Sequence, residues 1–285
     1  MEQIDVLYNP FSHKNQGLSD ARRIEKWFDG ASFSYIDLTE KGFSPAAFIE
    51  SCPEDHKIVL AGGDGTLNHL VNQLAEEELS RDLWFFPAGT GNDFAKDVGK
   101  KTGCRPFLLN SFISSLPKAS INGDTVRFIN GVGFGLDGYA CSEHERLKKL
   151  GKDSSYKLIA VKGLLFSFKP VSGTITVDGE ARTYKKLWMA PVMLGTYFGG
   201  GFPITPQQHR LNEEHTLISV EVHDVGRLHA MLLFVPAMLG KGRWFKKHIT
   251  YRKGHHFRAE FSVPSDLQCD GEVYNGVMNF TADYE

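Results

Sequence analysis

Two glycine-rich segments of the chain could bind phosphate groups. Residues 62–68 read Gly-Gly-Asp-Gly-Thr-Leu-Asn after an apolar run, and residues 89–92 read Gly-Thr-Gly-Asn after the next run. Glycine lets the backbone approach a phosphate closely, and the unpaired amides at the start of a helix attract an anion. Thr66 adds a hydroxyl donor, and Asp64 adds a carboxylate for Mg²⁺ or for an attacking alcohol. Two such loops at neighbouring strand ends are typical of a nucleotide site at the edge of an open α/β sheet.

These two segments supply most of the predicted nucleotide-binding residues. They are Gly62, Gly63, Asp64, Gly65, Thr66, Leu67, Asn68, Gly89, Thr90, Gly91 and Asn92. Neither segment has the lysine-containing Walker A pattern, and neither has the G-x-G-x-x-G spacing of dinucleotide-binding folds. A tight turn that binds no ligand is the alternative interpretation.

Three carboxylates could serve phosphoryl transfer, which depends on in-line positioning and on neutralising charge, usually with Mg²⁺. Asp64 and Asp93 lie in or beside the glycine-rich segments, and Glu272 lies in the segment Asp270-Gly271-Glu272. Read alone, that segment is also an ordinary hairpin turn. The residues by themselves leave the roles of the three carboxylates open.

Apolar patterning predicts the elements that position these residues. Four short runs that read as strands cover residues 4–8, 33–38, 58–61 and 83–86, and helical patterns alternate with them, one of them at residues 19–28. This alternation predicts a mostly parallel sheet with helices on both faces. After Ile121 the rhythm changes, because Asn122-Gly123 and Asp178-Gly179 are hairpin turns between alternating segments. Helical patterns at residues 139–168 and 227–239 interrupt this antiparallel part.

The predicted architecture is an α/β fold with two domains. Residues 1–122 form an α/β domain with a mostly parallel sheet that binds the nucleotide, and residues 123–275 form a β-rich, sandwich-like domain. We expect a cleft between the two domains. The final segment, residues 276–285, reads as a strand that could return to the first domain.

Composition narrows the possible classes of protein. The chain has 285 residues, with 32 Lys and Arg against 34 Asp and Glu, a formal net charge of −2, and 41% hydrophobic residues. Such a chain can bury a core, which excludes wholesale disorder, collagen and coiled coil. Its balanced charge argues against a nucleic-acid partner. No apolar run is long enough to cross a bilayer, and the acidic N-terminus is unlike a signal peptide, so we expect a cytosolic protein.

The cysteines and histidines show no pattern of a metal centre. The four cysteines lie far apart without a C-x-x-C pair, and the eleven histidines lack metal-ligand spacing. Free thiols are therefore the expectation.

A long segment without acidic residues, residues 225–259, points to a membrane surface. It combines an apolar run at residues 231–234 with Lys241, Arg243, Lys246, Lys247, Arg252 and Lys253. Apolar and basic residues on one face bind anionic lipid, so the segment predicts transient contact with an anionic membrane surface. A core-packed helix beside a solvated basic face is the alternative.

Five motifs, in this order, resemble those of the diacylglycerol kinase catalytic-domain family. They are Asn9-Pro10-Phe11-Ser12, residues 62–68, residues 89–95, Gly199-Gly200-Gly201-Phe202 with Pro206, and Asp270-Gly271-Glu272. The resemblance covers nearly the whole chain. It implies a kinase that transfers the γ-phosphate of ATP, with Mg²⁺, to a hydroxyl of a membrane lipid at the inner membrane surface.

The resemblance also implies roles for individual residues. Asn9 and Thr39 would lie near the nucleotide, and Lys14 would contact a phosphate although His13 replaces the glycine often found after the Asn-Pro turn. Glu272 would be the base that takes the hydroxyl proton, with Asp64 as an essential partner near the metal. It stays open whether Asp64 is the base and Glu272 the partner near the metal instead.

One motif departs from the family. Where the family has a D-D-G-x-L stretch that builds a structural Mg²⁺ site, this chain has Glu213-Glu214-His215-Thr216-Leu217. The matching ligands would be the Glu214 carboxylate and the backbone carbonyls of Leu211 and Thr216. Glutamate is longer than aspartate by one methylene, which puts the strict octahedral geometry of Mg²⁺ in question.

Two rival functions follow from these features. The G-G-D-G motif and the glycine-rich residues 130–135 also suit a soluble-substrate kinase of the NAD kinase type. The altered metal motif suits a catalytically silent lipid- or nucleotide-binding protein. The identity of the acceptor, which could be diacylglycerol, a related glycerolipid or a sphingoid base, stays open, as does assembly into a homodimer.

Overall fold

The chain folds into two units, which divide at residues 116 and 117. In the computed structural model, the units are Met1–Leu116 and Pro117–Glu285. The structure describes residues 2–74, 79–89, 91–152, 155–238, 241, 245 and 247–285. The α/β first unit and the β-rich second unit confirm the predicted fold class.

The first unit is built on a five-stranded sheet with the order β2-β1-β3-β4-β5. The strands are β1 (Gln3–Tyr8), β2 (Ser32–Asp37), β3 (His56–Gly62), β4 (Leu83–Pro87) and β5 (Phe107–Leu108). The first four are parallel, and β5 runs antiparallel to β4. Because the strands are parallel and in register, Tyr8 lies beside both Asp37 and Ala61, and Gly62 lies beside Pro87. The carboxyl ends of β1 to β4 therefore share one edge.

Short helices connect these strands. They are α1 (Ser12–Asn15), α2 (Gly17–Arg22), α3 (Pro45–Ser51), α4 (Asp64–Gln73), α5 (Asp93–Asp97) and α6 (Asn110–Ile113). The Ser44 hydroxyl caps α3 by accepting from the Ala47 amide at 3.3 Å, with Pro45 in the first turn. Leu67, Leu70 and Val71 of α4 are buried.

The predicted helix at residues 19–28 is shorter in the structure. After α2 the chain continues in a 3₁₀ turn at Glu25–Trp27. The amides of Ile24 and Trp27 each donate to the carbonyl three residues earlier. Apolar residues three apart suit a 3₁₀ turn as well as an α-helix, which explains the difference.

In its described residues the second unit contains twelve strands, ten of them in one sheet. They are β6 (Lys118–Ile121), β7 (Asp124–Arg127), β8 (Gly131–Phe134), β9 (Val171–Val177), β10 (Glu180–Met189), β11 (Val192–Met193), β12 (Tyr197–Phe198), β13 (Phe202–Pro203), β14 (Leu217–His223), β15 (Ile249–Gly254), β16 (His256–Cys269) and β17 (Glu272–Asp283). The predicted turns are present, with Asn122 and Asp178 at φ +52° and +47°, followed by glycines that also have positive φ.

Strand β16 closes the large sheet on itself. Its first half pairs with β9, where Phe257 lies beside Val177, and its second half pairs with β8, where Cys269 lies beside Val132. The ladder then continues through β11, β14 and β10 back to β9. A ring of six strands results, with a shift of register in β16 between Glu260 and Ser265.

The final strand lies within the second unit. Residues Phe280 to Asp283 of β17 pair with Ile121 to Lys118 of β6. The sequence-based boundary at 122 assigned β6 to the first domain, but β6 is hydrogen-bonded in the second sheet. The last strand therefore does not return to the first unit.

Three helices and a π-helical turn complete the part of the second unit that the structure describes. They are α7 (Leu136–Lys149), α8 (Tyr156–Lys162), the π-helical turn Gly163–Ser167, and α9 (Arg227–Met238). Within the part of the chain that the structure describes, no helix has the length and apolar character needed to span a bilayer.

Candidate active site

The predicted nucleotide site lies where four parallel strands end. The strand order reverses between β1 and β3, because β2 lies on one side of β1 while β3 and β4 follow on the other. In open α/β sheets, ligands bind outside the carboxyl ends of the strands at such a switch point. Asn9 follows β1 and Gly63 follows β3, so the two residues flank it.

The two glycine-rich loops pack directly against each other. The amides of Ala88 and Gly89 donate to the carbonyl of Gly62 at 2.8 and 3.1 Å. A Cβ atom on Gly89 would lie 2.5 Å from the Cα of Gly63, and one on Gly62 would lie 2.5 Å from the Cβ of Thr66. These glycines are required by the protein's own packing, since any side chain would collide with backbone or with a buried residue.

Gly65 differs from its neighbours because its surroundings are open. A Cβ atom on Gly65 would meet nothing within 4 Å. Gly65 lies in the first turn of α4, where the backbone amides have no partner within the helix. Open space beside Gly65 in the first turn of a helix fits a phosphate group, so the loop suits a nucleotide.

The other residues of the first loop contribute in different ways. Thr66 is buried against Gly62, and Leu67 is fully buried, with its amide donating to the Gly63 carbonyl at 3.1 Å. Asn68 is also buried. Leu67 therefore serves the core with its side chain. The predicted contact Thr90 lies outside the described residues.

Asp64 joins the two loops. Its carboxylate accepts hydrogen bonds from the backbone amides of Asp93 at 2.7 Å and Phe94 at 3.0 Å. These are the first amides of α5, so Asp64 caps that helix and fixes the second loop. The candidate catalytic carboxylate is thus also a positioning residue.

Asn92 leaves one polar atom for a ligand. Its Nδ2 donates to the Gly89 carbonyl at 2.5 Å and to the Thr102 hydroxyl at 2.8 Å. Its Oδ1 is buried and, among the described residues, has no hydrogen-bond partner. A buried acceptor of this kind calls for a donor, such as a bound water or a ligand.

The loop after β1 is shaped by Asn9. The Asn9 side chain accepts from the Phe11 amide at 2.9 Å, and its carbonyl accepts from the Ser12 hydroxyl at 2.8 Å. His13, Lys14 and Asn15 follow with φ values of +46°, +57° and +67°. His13 thus adopts the left-handed conformation that favours glycine, and its ring pairs with the Asp20 carboxylate at 2.6 Å. The exposed Lys14 side chain brings a positive charge to this loop.

Thr39 lies after β2 on the same edge. Its amide and hydroxyl both donate to one carboxylate oxygen of Asp37, at 2.7 Å each. In the described residues Thr39 therefore closes a turn at the strand end. The structure brings Asn9, Thr39 and both glycine-rich loops to one sheet edge, and their contact with a nucleotide stays a prediction.

In the second unit, Asp270 positions Glu272. The Asp270 carboxylate accepts from the amides of Ile129, Asn130 and Gly131 at 2.5, 2.8 and 3.0 Å. Asp270 and Gly271 form the turn between β16 and β17, with φ values of +48° and +94°. Glu272 follows as an exposed residue at the start of β17.

A buried polar cluster near Glu272 was not found from the sequence. The Asp137 carboxylate accepts from the Tyr156 hydroxyl at 2.6 Å and from Gln268 Nε2 at 2.8 Å. Gln268 Oε1 in turn accepts from the Gly271 amide at 2.8 Å. Burial raises the pKa of Asp137 to about 6, although both hydrogen bonds oppose this shift. Burial, aided by the charges of Asp137 and Glu272, also raises the pKa of Cys141.

The signal for this cluster was the glycine-rich run before α7. A Cβ atom on Gly133 would lie 1.6 Å from Asp137 Oδ2. A glycine is therefore required where the buried carboxylate lies against β8. The requirement is visible only once β8 and α7 are placed together.

The three predicted metal ligands do not form an ion site as they stand. The Glu214 carboxylate pairs with Lys253 Nζ at 2.5 Å. The Thr216 carbonyl accepts from Gln208 Nε2 at 2.8 Å and from Asn212 Nδ2 at 3.2 Å. Because the Glu214 carboxylate and the Thr216 carbonyl already have protein partners, the predicted set of Leu211, Glu214 and Thr216 does not fit a structural Mg²⁺.

The acid-free segment does not form one basic surface. Arg252 is buried and pairs with the buried Glu221 carboxylate at 2.8 Å, and Lys253 pairs with Glu214. Lys241 and Lys247 are exposed. Arg243 and Lys246 lie outside the described residues. The expectation that Arg252 faces a membrane is therefore corrected, because the neighbouring strand β14 supplies a buried carboxylate for it. Lys253 is exposed, and its partner Glu214 lies in the loop before β14.

One histidine does meet a cysteine and a carboxylate, away from the loops. His56 Nδ1 lies 2.7 Å from Asp5 Oδ2, and the Cys52 thiol donates to the same oxygen at 3.2 Å. Burial and the Asp5 carboxylate raise the pKa of Cys52 to about 11. Asp5 comes from β1, far from the other two in sequence, so spacing alone could not reveal the group.

Comparison with known proteins agrees with this geometry. Residues 3–117 match the diacylglycerol kinase catalytic domain, and residues 130–281 match the YegS C-terminal NAD kinase beta sandwich-like domain. The chain belongs to this kinase family. The two matches cover the Asp64 loops and the Asp270 turn respectively.

Relatives of this lipid-kinase family include proteins of similar length. A protein named diacylglycerol kinase from Bacillus subtilis (strain 168) is 26% identical over 98% of this chain and 92% of its own. One named "Probable lipid kinase YegS-like" from Shewanella frigidimarina is 27% identical over 76% of this chain and 70% of its own. The crystal structure of a diacylglycerol kinase from Bacillus anthracis str. Sterne covers 98% of this chain and 93% of its own, with 21% identity and a TM-score of 0.66. That structural likeness supports the shared fold.

Proposed function

We propose that the protein transfers the γ-phosphoryl group of ATP to a hydroxyl of a membrane lipid, diacylglycerol or a related glycerolipid. The observation that carries this proposal is the packing of two glycine-rich loops at the switch point of a parallel sheet, with open space over the first turn of α4. Membership of a lipid-kinase family supports the lipid acceptor.

The residues of the first unit would bind and orient ATP. The amides of the first turn of α4 would bind phosphate oxygens, and Lys14 would neutralise part of their charge. The buried Asn92 Oδ1 would accept a hydrogen bond from the nucleotide or from a water bound with it. Mg²⁺ would enter with ATP and screen the phosphate charge during transfer.

Glu272 would act as the general base. It would take the proton of the lipid hydroxyl while the hydroxyl oxygen forms its bond to the γ-phosphorus and the bond from that phosphorus to the bridging β-γ oxygen breaks. ADP and a phosphorylated lipid would leave. The three amides that bind Asp270 hold the turn before Glu272, which keeps the exposed carboxylate in a defined place.

Access to a lipid substrate would come from an apolar surface around α8 and α9. Phe166, Leu228 and Leu232 are 77%, 77% and 71% exposed, which is unusual for large apolar side chains grouped in a single unit. The Arg227 guanidinium at the start of α9 donates to the carbonyls of Leu164 at 2.6 Å and Phe168 at 2.8 Å. The two exposed segments are therefore neighbours.

The charge around this surface suits anionic lipid. Residues 155–169 and 225–238 contain no acidic residue, and Lys162 and Lys169 are exposed beside the π-helical turn. Exposed apolar and basic side chains together favour shallow, reversible binding to an anionic bilayer. We therefore propose the membrane contact at α8 and α9 instead of at the buried Arg252.

Vesicle binding tests the surface. We expect Phe166→Ser with Leu228→Ser to weaken binding to anionic vesicles by about tenfold or more, since each buried apolar side chain contributes about 1.5–3 kcal/mol. Val263→Ser with Met278→Ser is the matched control, because these residues are exposed and apolar elsewhere in the second unit. Equal loss in both variants, or no loss in either, would contradict the surface.

A transfer assay tests the activity. Purified protein receives radiolabelled ATP and MgCl₂ with mixed micelles of diacylglycerol, phosphatidylglycerol or a sphingoid base, and with NAD in a separate reaction. We expect label in one glycerolipid. Label in NAD instead would support a soluble-substrate kinase, and nucleotide binding without transfer to any acceptor would support a silent binding protein.

A further inference from the structure

The loop at residues 208–217 is held together by amide side chains. The Thr216 carbonyl, one of the family's metal-ligand positions, is buried and accepts from Gln208 Nε2 and Asn212 Nδ2. A carbonyl oxygen has two lone pairs. Both lone pairs of the Thr216 carbonyl therefore accept hydrogen bonds from protein side chains.

The Asn212 side chain lies at the centre of this loop. Its Nδ2 also donates to the His209 carbonyl at 2.8 Å. Its Oδ1 accepts from the Thr216 amide at 2.7 Å and from the Thr216 hydroxyl at 2.9 Å. The Asn212 amide nitrogen thus donates to two backbone carbonyls, and the Asn212 amide oxygen accepts from two donors of Thr216. These four hydrogen bonds satisfy polar groups of the loop without a bound ion.

The carboxylate of the loop has a protein cation as its partner. Lys253, on the neighbouring strand β15, pairs with Glu214. The ammonium supplies a positive charge beside a carboxylate that would otherwise attract a metal ion.

The loop also has a left-handed backbone conformation, which favours glycine, at a residue that is not glycine. His215 has φ +48°, and its ring stacks on the ring of the buried Tyr284 with centroids 4.7 Å apart. A non-glycine residue in this conformation costs free energy, which the ring contact helps to offset.

We propose that Asn212 and Lys253 replace the structural divalent cation in this loop. The loop therefore folds without a metal ion, and the nucleotide brings the single divalent ion that transfer requires. The structural part of this proposal is independent of the proposed activity, whereas its second part rests on that activity.

Ion binding without nucleotide tests the proposal directly. Wild-type protein is titrated with Mn²⁺ by electron paramagnetic resonance, and its thermal midpoint is measured in excess EDTA and in millimolar MgCl₂. We expect no ion whose binding depends on Glu214, and midpoints that agree within about 1 °C, because a ligand that does not bind the folded state cannot stabilise it.

Glu214→Gln identifies the site of any ion that does bind. An ion that binds wild type, raises its midpoint and is lost in Glu214→Gln would overturn the proposal. An ion that stays bound in Glu214→Gln lies elsewhere and leaves the proposal standing. Absence of kinase activity would overturn the proposed function without changing either measurement.

Substitution of Asn212 and Lys253 tests whether these residues take the place of the ion. Asn212→Ala should lower the midpoint by about 4–8 °C, because the hydrogen bonds of its amide are lost, and Mg²⁺ should not restore it. Asn212→Asp combined with Lys253→Ala should gain an Mg²⁺-dependent rise of a few degrees, since carboxylates then replace the amide and the ammonium. The assignment would be contradicted if Mg²⁺ raised the thermal midpoint of Asn212→Ala but left the midpoint of the double variant unchanged.

Discussion

The Asp64 carboxylate accepts a hydrogen bond from the Asp93 backbone amide at 2.7 Å and therefore ties the loop after β3 to the loop after β4. The second oxygen accepts from Phe94 at 3.0 Å. The residue that the sequence marks as catalytic is also the one that holds the two glycine-rich loops together. Its two possible roles, positioning and chemistry, make different predictions.

Asp64→Asn should reduce both stability and activity. Asparagine offers one acceptor where aspartate offers two, so its amide group would face a backbone N–H. We expect a loss of about 1.5–3 kcal/mol in the free energy of unfolding and at least about a tenfold fall in kcat. Urea denaturation and the transfer assay measure these, with exposed Asp82→Asn as the control. Unchanged stability would show that the two hydrogen bonds are unimportant.

Gly65→Ala should separate folding from phosphate binding. The site is open and helical, so alanine should stabilise α4 by about 0.5–1 kcal/mol. The added methyl would occupy the space assigned to a phosphate and lower kcat/KM for ATP by about tenfold or more. Gly226→Ala, also in open space, is the matched control. If Gly65→Ala is as active as that control, no phosphate lies over Gly65.

Glu272→Gln should lower kcat by about 10²–10⁴ while the KM for ATP stays nearly constant, because a base acts on the lipid hydroxyl in the transition state. The side chain is exposed, so the thermal midpoint should not change. Glu260→Gln, another exposed glutamate of the same unit, controls for the loss of charge. Loss of ATP affinity with kcat preserved would make Glu272 a nucleotide-binding or structural residue.

The buried Asp137 should make stability depend on pH. Burial raises its pKa to about 6 in the folded state, whereas an exposed aspartate titrates near 3.9. Between these values the folded protein keeps a proton that the unfolded chain has released, so stability falls as the pH rises from about 4 to 6, by about 2–3 kcal/mol. Asp137→Asn removes this contribution.

Urea denaturation of wild type and Asp137→Asn across this pH range measures the effect. Other carboxylates titrate in both proteins, so the difference between the two free energies isolates Asp137. As the pH rises, the free energy of unfolding of wild type should fall relative to that of Asp137→Asn. A constant difference would mean that the carboxyl is ionised throughout.

The sequence predicted the elements with strong local signals. Apolar runs marked β1 to β4, and glycines marked the loops after β3 and β4, because each signal lies within a few residues. The parallel order then brings Asn9, Thr39 and Gly63 to one edge. Much of the arrangement of the candidate site at this edge was therefore predictable.

Partners that meet across the fold were not predictable. Asp64 caps a helix 29 residues later. Arg252 reads as a surface cation in the sequence, but register places it opposite Ser219 of β14, from where its guanidinium reaches the buried Glu221. The cluster of Asp137 and Gln268 joins residues 131 apart. Each of these pairs depends on how elements distant in sequence pack or pair, which a local pattern does not contain.

The ring of strands in the second unit has a consequence for synthesis. Strand β8 finds its neighbour β16 only near the end of the chain, where Val132 lies beside Cys269. While the ribosome is still making residues before β16, the exposed edges of β8 and β9 can pair with other chains. The first unit, made of neighbouring strands and short helices, can fold as soon as it emerges. A chain shortened before β16 should therefore aggregate through its second unit, even though its glycine-rich loops have already formed.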